Sequence, residues 1–342
     1  MVLCVKAALK DAERVKKHLY QHELLDTKYR HVKQPGCILF PVTQRFSSKL
    51  PIEFVEHEIA PVPVTGRLKA VLGDGLTAAE KARVTSSFDI VGSIAIVEIE
   101  PELEEKKTLI AETILANNKS VTTVLQKAGG HVGELRVQRM AYLAGVDTRE
   151  TIVVENGVRL KINVEEVYYS VRSATERKRI ASLVKAGERV LVMFSGAAPF
   201  CCVIAKHTAA SEIVGIELNE KGHELGVESV RLNKLKNVVL INDDVKHATP
   251  ILAEKGITFD RIVMPLPHTG HDFLDEAFSV AHKGTTIHLY DFEREDEFQK
   301  AAEKAEDGAK RNKRKIKILG IVPSGQHSPR VFRVCVDFDV LD

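Results

Sequence analysis

The chain has 342 residues, 44% of them hydrophobic, and a formal net charge of +2. That length points to two or three domains rather than one, and the near-neutral balance gives no chain-wide signal for nucleic acid, leaving room only for a local basic face. No apolar run approaches the ~18 residues of a membrane-spanning helix, there is no secretory n-region, and the five cysteines (Cys4, Cys37, Cys201, Cys202, Cys335) show no CxxC or zinc spacing, so free buried thiols, a cytoplasmic location and no metal are expected.

Residues 1–60 read as a small α+β domain. Val2–Ala7 is a candidate strand, and Asp11 is a candidate cap for a helix that buries Ala12, Val15 and Leu19. The opposite face carries Arg14, Lys16, Lys17 and His18, a solvated face or an RNA contact. Gln34-Pro35-Gly36 is a turn, with strands at Cys37–Phe40 and Ile52–Ile59. The stretch 60–64, APVPV, reads as an extended linker.

Residues 65–165 read as a second α+β domain. A helix over Thr77–Ser86 opens on a capping box of Thr77 and Glu80. Two short strands flank Gly92 within 88–99, and a helix over Glu102–Asn117 places Leu103, Leu109, Ile110 and Ile114 on its buried side. Val121–Leu125 is a strand. Gly129–Gly145 follows no simple pattern and carries Arg136 and Arg139. Asn156-Gly157 is the strongest hairpin signal in the chain, between arms at Thr151–Val154 and Arg159–Asn163.

Residues 166–342 read as an α/β domain. Thr175–Arg179 begins a helix with Glu176 in its first turn, where a carboxylate suits the helix dipole. Val190–Met193 is a strand buried on both faces, followed by Phe194, Ser195, Gly196 and two alanines, then a helix opening on Pro199. The next strand, Glu212–Glu217, ends in a carboxylate placed to accept hydrogen bonds from two ribose hydroxyls. Gly196 is the lone glycine of the turn, so a pyrophosphate cradle is not expected, and a nucleoside ligand such as S-adenosylmethionine fits better. Strands at Val238–Asn242, running into Asp243-Asp244, and at Asp260–Met264, running into Pro265-Leu266-Pro267-His268, follow. A helix at Gly270–His282, a strand at Thr285–Tyr290, a helix at Glu295–Arg311 and strands at Lys313–Ile321 and Val331–Val340 complete the domain. Lys310–Lys317 is a dense basic cluster, either a solvated helix end or an anion contact.

Taken together, the N-terminal thirty residues, GELRVQRMAYLAG, ENGVRLKINVEEVYYSVRSATERKRI, VMFSGAAPF, GIELNEKGHELGVESVRLNKL, NDDV and RIVMPLPH resemble, in order, the archaeal and eukaryotic tRNA (guanine37-N1)-methyltransferases. The resemblance implies a Rossmann-like class I S-adenosylmethionine-dependent domain with a mostly parallel seven-stranded sheet, preceded by two small α+β domains that bind tRNA. It implies S-adenosylhomocysteine as product, and a monomer with no membrane contact is expected. It assigns Arg172, Phe194, Gly196, Phe200, Glu217, Leu218, Asp244, Val245 and Pro265 to the cofactor. It assigns Tyr168, Pro267 and Arg139 to the RNA, and Glu176 and Arg136 to the chemistry. Three positions, in two places, depart from the family pattern. Val192 and Ala198 stand where an acid and a second glycine are usual, and Pro265, which has no amide side chain and no N–H, stands where the family has asparagine.

Guanine N1 carries a proton, so transfer to it calls for a general base, a role that falls to Glu176. Charge developing on O6 would then be stabilised by Arg136. The target base must leave its stack, which costs a few kcal/mol that RNA contacts elsewhere offset. The alternatives are an aminocarboxypropyl transferase of wyosine synthesis and a non-catalytic tRNA-binding paralogue.

Overall fold

A computed structural model describes residues 1–342 except 23, 27–28, 49, 60–67, 73–74, 85–87, 131–132 and 134–136. The expected linker at 60–64 and Arg136 lie outside the described residues. The chain divides into two compact units, Met1–Thr77 and Ala78–Asp342.

In the first unit, β1 (Val2–Ala8) is the centre of an antiparallel sheet with β2 (Val32–Gln34), β3 (Cys37–Pro41) and β4 (Glu53–His57), in the order β2-β3-β1-β4. Helix α1 (Ala12–Gln21) buries Ala12, Val15 and Leu19 against Val5, Ala7 and Phe40. Asp11 does not cap it. It ends a 3-10 turn, Leu9–Asp11, that leads directly into α1, and its side chain makes no capping bond. The short strand β2, hidden by its Lys and Gln, and a one-turn helix, α2 (Leu68–Val71), were not anticipated.

The second unit opens with α3 (Ala78–Arg83) and a sheet of β5 (Asp89–Val91), β6 (Ile94–Val97), β7 (Thr123–Lys127) and β8 (Met140–Gly145) in that spatial order. Strands β6 and β7 are parallel, so a crossover is required, and α4 (Lys107–Asn117) supplies it after a 3-10 turn at Pro101–Lys106. Leu103, Ile110 and Ile114 are buried as expected, but Leu109 faces outward. The change from 3-10 to α winding at Lys107 shifts the helical phase, so one continuous α-helical stripe misplaces that residue.

The hairpin pairs β9 (Glu150–Glu155) with β10 (Val158–Asn163). Asn156 and Gly157 both take positive φ, 45° and 73°, as a type I′ turn requires. The free edge of β10 is closed by side chains of α7 (Glu220–Leu232) and its C-cap. Ser229 Oγ accepts from Lys161 N, and Asn233 Oδ1 accepts from Arg159 N, both at 2.9 Å. Val158, Leu160 and Ile162 thereby join one core with Ile94, Leu125 and Val190.

The largest sheet has seven strands in the order β13-β12-β11-β14-β15-β17-β16. They are β11 (Arg189–Met193), β12 (Glu212–Glu217), β13 (Val238–Asn242), β14 (Phe259–Met264), β15 (Ala281–Arg294), β16 (Ile316–Ser328) and β17 (Val331–Val340). The first five in sequence are parallel, and β17 runs antiparallel between β15 and β16. The remaining helices are α5 (Ala174–Leu183), α6 (Pro199–His207), α8 (Val245–Glu254), α9 (Leu274–Ser279) and α10 (Gln299–Arg311). The helix expected over Gly270–His282 is a 3-10 turn followed by α9 alone, because Ala281 already pairs with Phe259 in the sheet. The strand order reverses between β11 and β14. The crevice outside their carboxyl ends is therefore where such a sheet places a ligand.

Candidate active site

The loop leaving β11 is bent by three positive-φ positions within five residues. Phe194, Gly196 and Ala198 take φ of 59°, 55° and 60°, and Ser195 N donates to Ile216 O at 2.8 Å. At Gly196 a Cβ would meet only Tyr168 O, 3.9 Å away. The backbone there is open to a ligand, with the Tyr168 segment alongside. Ala198 holds the left-handed conformation that glycine adopts without steric cost, which accounts for the family's usual glycine at this place. Val192 is fully buried in the core, so an unpaired acid there would be costly.

Glu217 at the tip of β12 turns back over this loop. Its Oε2 accepts from Gly196 N at 2.5 Å and its Oε1 from Asn219 N at 2.8 Å. Gly222, in the first turns of α7, lets the side chain lie flat, since a Cβ there would come within 3.2 Å of Glu217 Cγ. Burial pushes the Glu217 carboxyl above its usual value, against the two backbone N–H groups that favour the carboxylate. No cation pairs with it in that set. Each oxygen keeps acceptor capacity, which suits two vicinal hydroxyls of a ribose.

Beyond Glu217, Leu218 is 44% exposed, an apolar surface of the kind an adenine face covers. Asp244 caps α8 by accepting from Lys246 N at 2.9 Å, and Val245 beneath it is buried. Phe200 is buried with its ring 6.1 Å from that of Tyr290, and Phe194 meets Phe273 edge-on at 4.9 Å. Pro265 and Pro267 are half-buried at the mouth, where Leu266 N turns back to Met264 O. The open glycine, the carboxylate cradle of Glu217 and the apolar ledge fit S-adenosylmethionine.

Glu176 sits in the first turn of α5, 6% exposed. Its carboxylate accepts from Tyr290 OH at 2.6 Å and from Arg179 Nε and Nη2 at 2.8 and 2.7 Å. Tyr290 lies one residue past the Met264–Leu289 pair, at the carboxyl end of the sheet and so on the crevice side. Arg179 reaches on to Asp337 at 2.6 Å, and Asp337 accepts from His288 Nδ1 at 2.6 Å. Burial holds His288 below its usual pKa despite that carboxylate. The neutral ring then donates through Nδ1 and accepts from Arg261 Nη1 through Nε2 at 2.7 Å. Arg261 closes the chain on Glu188 at 2.8 Å. Cys335 Sγ also points at Asp337, 3.2 Å away. The His288–Cys335–Asp337 cluster has the composition of a metal site, but guanidinium groups press on it from two sides and its carboxylate is already satisfied.

Phe194, Gly196 and Phe200 follow β11, Glu217 and Leu218 end β12, Asp244 and Val245 follow β13, Pro265 and Pro267 follow β14, and Glu176 meets Tyr290 of β15, all at the carboxyl ends of the parallel strands. Tyr168 joins through its backbone. Of the remaining predicted residues, one turns elsewhere and one lies on the surface. Arg172 is exposed and pairs with Asp89 of β5 at 2.9 Å, and Arg139 is exposed just before β8. Arg179, Tyr290 and Asp337 were missed. The available signal was polar residues at alternating positions, His288 and Tyr290, in a strand otherwise buried on both faces.

Comparison with known proteins places this geometry. The profile of the TRM5/TYW2 methyltransferase domain matches residues 151–319, that of the TYW2 N-terminal domain residues 68–148, and that of the tRNA methyltransferase 5 N-terminal domain residues 4–50. The tRNA (guanine(37)-N(1))-methyltransferase Trm5b of Pyrococcus abyssi is 33% identical over 99% of both chains, and its crystal structure superposes with a TM-score of 0.71 over 100% of each. The complex of aTrm5 with tRNALeu is 25% identical, with a TM-score of 0.70 over 99% of this chain and 100% of that one. The tRNA(Phe) (4-demethylwyosine(37)-C(7)) aminocarboxypropyltransferase of Pyrococcus horikoshii is 33% identical over only 58% of this chain and 69% of its own. With a relative matched end to end at this identity, the chain belongs to the archaeal and eukaryotic tRNA (guanine37-N1)-methyltransferase family, built on an S-adenosylmethionine-dependent TRM5/TYW2 domain.

Proposed function

We propose that this protein methylates N1 of guanosine 37 in tRNA. The observation that carries the reading is the pair of acidic groups at one sheet end: Glu217 held only by backbone N–H groups, and Glu176 held by a cation and a phenol. When bound, S-adenosylmethionine supplies a methyl group on a sulfonium centre. Glu217 takes the ribose hydroxyls, Leu218, Val245 and Asp244 line the adenine side, and Phe194, Gly196, Phe200 and Pro265 border the methionine side. Arg172, on this reading, leaves Asp89 when the ligands arrive.

Tyr168 and Pro267 flank the extruded guanine, and Arg139 takes a phosphate. Glu176 accepts the N1 proton at its carboxylate while Arg179 and Tyr290 fix its orientation. General-base help of this kind is worth roughly 10²–10⁴-fold. Arg136 stabilises the charge that gathers on O6. Residues 1–60 and 65–165 grip the tRNA by shape and backbone, residues 166–342 carry the chemistry, and the enzyme works as a cytoplasmic monomer without a metal. Among the described residues no helix is long and apolar enough to cross a membrane.

The test is methyl transfer from labelled S-adenosylmethionine to transcripts with guanosine or adenosine at position 37, using wild type and Glu176→Gln. The expected label is 1-methylguanosine, from the guanosine transcript alone. The variant should lose on the order of 10²-fold or more in kcat with unchanged cofactor affinity. Full activity of Glu176→Gln would reduce Glu176 to a member of the ion-pair chain. Release of methylthioadenosine would favour aminocarboxypropyl transfer.

A further inference from the structure

Side chains alternate along a strand, so His288, Tyr290 and Phe292 share one face of β15. His288 is fully buried, Tyr290 meets Glu176, and Phe292, about 7 Å further along, emerges half-buried at the mouth. Two imidazoles converge on it from elements distant in sequence. His327, near the end of β16, lies over Phe292 with centroids 4.1 Å apart and planes 31° apart. His268, just past Pro265-Leu266-Pro267, meets Phe292 edge-on at 4.8 Å. Both imidazoles are exposed. The hairpin that carries His327 runs past the sheet as far as Val331 and bears Arg330, which is 62% exposed on its side chain, and Arg294 stands on the neighbouring strand, 54% exposed.

No buried role explains three rings at that place. An exposed imidazole held nearly parallel to a phenyl ring presents a flat π surface to solvent, and the row beneath it leads straight to the carboxylate of Glu176. Around it Arg294 and Arg330 share Asp296, at 3.7 and 4.0 Å, so this part of the rim carries two guanidinium groups for one carboxylate. A flat aromatic surface beside cationic groups suits a nucleobase attached to a phosphate backbone. Pro265 at the same mouth offers neither a donor nor a side-chain acceptor, so a stacking contact on this side would add to the in-plane hold that Pro265 cannot supply.

We propose that His327, backed by Phe292 and braced by His268, is a stacking shelf for the extruded purine. It holds the ring so that its edge faces Glu176. The proposal rests on the methyl-transfer reading above and names the residue that would fix the orientation of the base.

The experiment compares wild type, His327→Ala and His327→Phe in steady-state methylation of a guanosine-37 transcript, with cofactor affinity measured alongside. Base–aromatic stacking implies a loss of about tenfold in kcat/KM for tRNA in His327→Ala, no change in S-adenosylmethionine binding, and recovery to within about threefold in His327→Phe, which keeps the flat ring. A second readout uses transcripts with 2-aminopurine at position 37 bound in the presence of S-adenosylhomocysteine. The base should be quenched by wild type and by His327→Phe, and brighter with His327→Ala. If wild type makes 1-methylguanosine but His327→Ala stays within about twofold, or His327→Phe is as slow as His327→Ala, or emission is the same in all three complexes, the shelf is refuted while the reaction stands. If wild type makes no 1-methylguanosine, the reaction itself is refuted.

Discussion

Arg179→Met is the sharpest test of the ion-pair chain behind the site. Arg179 is the cation between two carboxylates, with Glu176 at 2.7–2.8 Å and Asp337 at 2.6 Å. Their side chains are 6% and 11% exposed, and its own is 23% exposed. Methionine keeps much of the stem but leaves two buried anions facing each other without a counter-charge. Removing one partner of a buried pair costs about 3–5 kcal/mol. The lower end applies here, about 3 kcal/mol, because Asp337 keeps His288 and Glu176 keeps Tyr290. At roughly 2–4 °C per kcal/mol for a domain of this size, the melting temperature should fall by roughly 6–12 °C.

The pH dependence gives the sign. Burial pushes the Asp337 carboxyl up, but hydrogen bonds from His288 and Arg179 outweigh it and hold the group well below the usual carboxylate range. A folded pKa below the unfolded one stabilises fully above the unfolded value, about 3.9, and that contribution is lost as pH falls through the folded value. Without Arg179, burial is opposed mainly by His288. The folded pKa rises and the contribution shrinks. The gap between wild type and variant should therefore be full near neutral pH and narrow as pH falls below about 4, towards the folded value of the wild-type carboxyl. Scanning calorimetry at both ends of that range decides it. A gap under about 2 °C at neutral pH, or one that does not narrow on acidification, would refute this account of the network.

Glu217→Gln should weaken S-adenosylmethionine binding by about 10–100-fold in titration calorimetry, the range for hydrogen bonds to a charged group. Because burial raises the Glu217 carboxyl, wild-type affinity should decline on acidification at a higher pH than an ordinary glutamate implies. Unchanged affinity down to about pH 4 would count against the ribose role. Gly215 lies where α6 crosses β12, and a Cβ there would stand 2.7 Å from Leu240 Cδ2 and 2.9 Å from Cys201 Sγ. Gly215→Ala should cost about 1–3 kcal/mol in denaturant unfolding, and a neutral result would mean that this contact is slack. Burial raises the thiol pKa of Cys201 and Cys335 well above normal and that of Cys202 to about 12. A thiol reagent should therefore label these three only as the protein unfolds, and rapid native labelling would contradict their burial.

The parts of the fold that rest on a local period were legible in the sequence. Glu212–Glu217 and Val238–Asn242 are strands with the bounds read from their apolar runs, and Asn156-Gly157 turns as its φ requirement dictates. Where winding changes within one segment, the period misleads, as at Leu109 and at Gly270–Phe273. Glu217 could be found because its role depends on its place at a strand tip. The partners of Glu176 could not, because Arg179, Tyr290 and Asp337 come from a helix and two strands, and the β15–β17 register that pairs His288 with Asp337 and Tyr290 with Cys335 is a tertiary feature. In the sequence, 158 residues separate Arg179 from Asp337, and a charge at that distance carries no local signature.

The two acids of the site illustrate how environment divides labour between like groups. Glu217 has backbone donors and burial but no cation, so its carboxylate is costly until hydroxyl donors arrive; that cost makes it a receptor for a polar ligand. Glu176 is deeper, and a bidentate guanidinium and a phenol fix the orientation of its carboxylate without any ligand. On the proposed mechanism the proton leaving guanine N1 goes to this carboxylate, and Arg179 keeps Asp337, with which it already shares a 2.6 Å bond, as its second partner. A chain of ion pairs and hydrogen bonds from Glu176 to Glu188, through Arg179, Asp337, the neutral ring of His288 and Arg261, thus fixes the Arg179 guanidinium behind the site independently of any ligand.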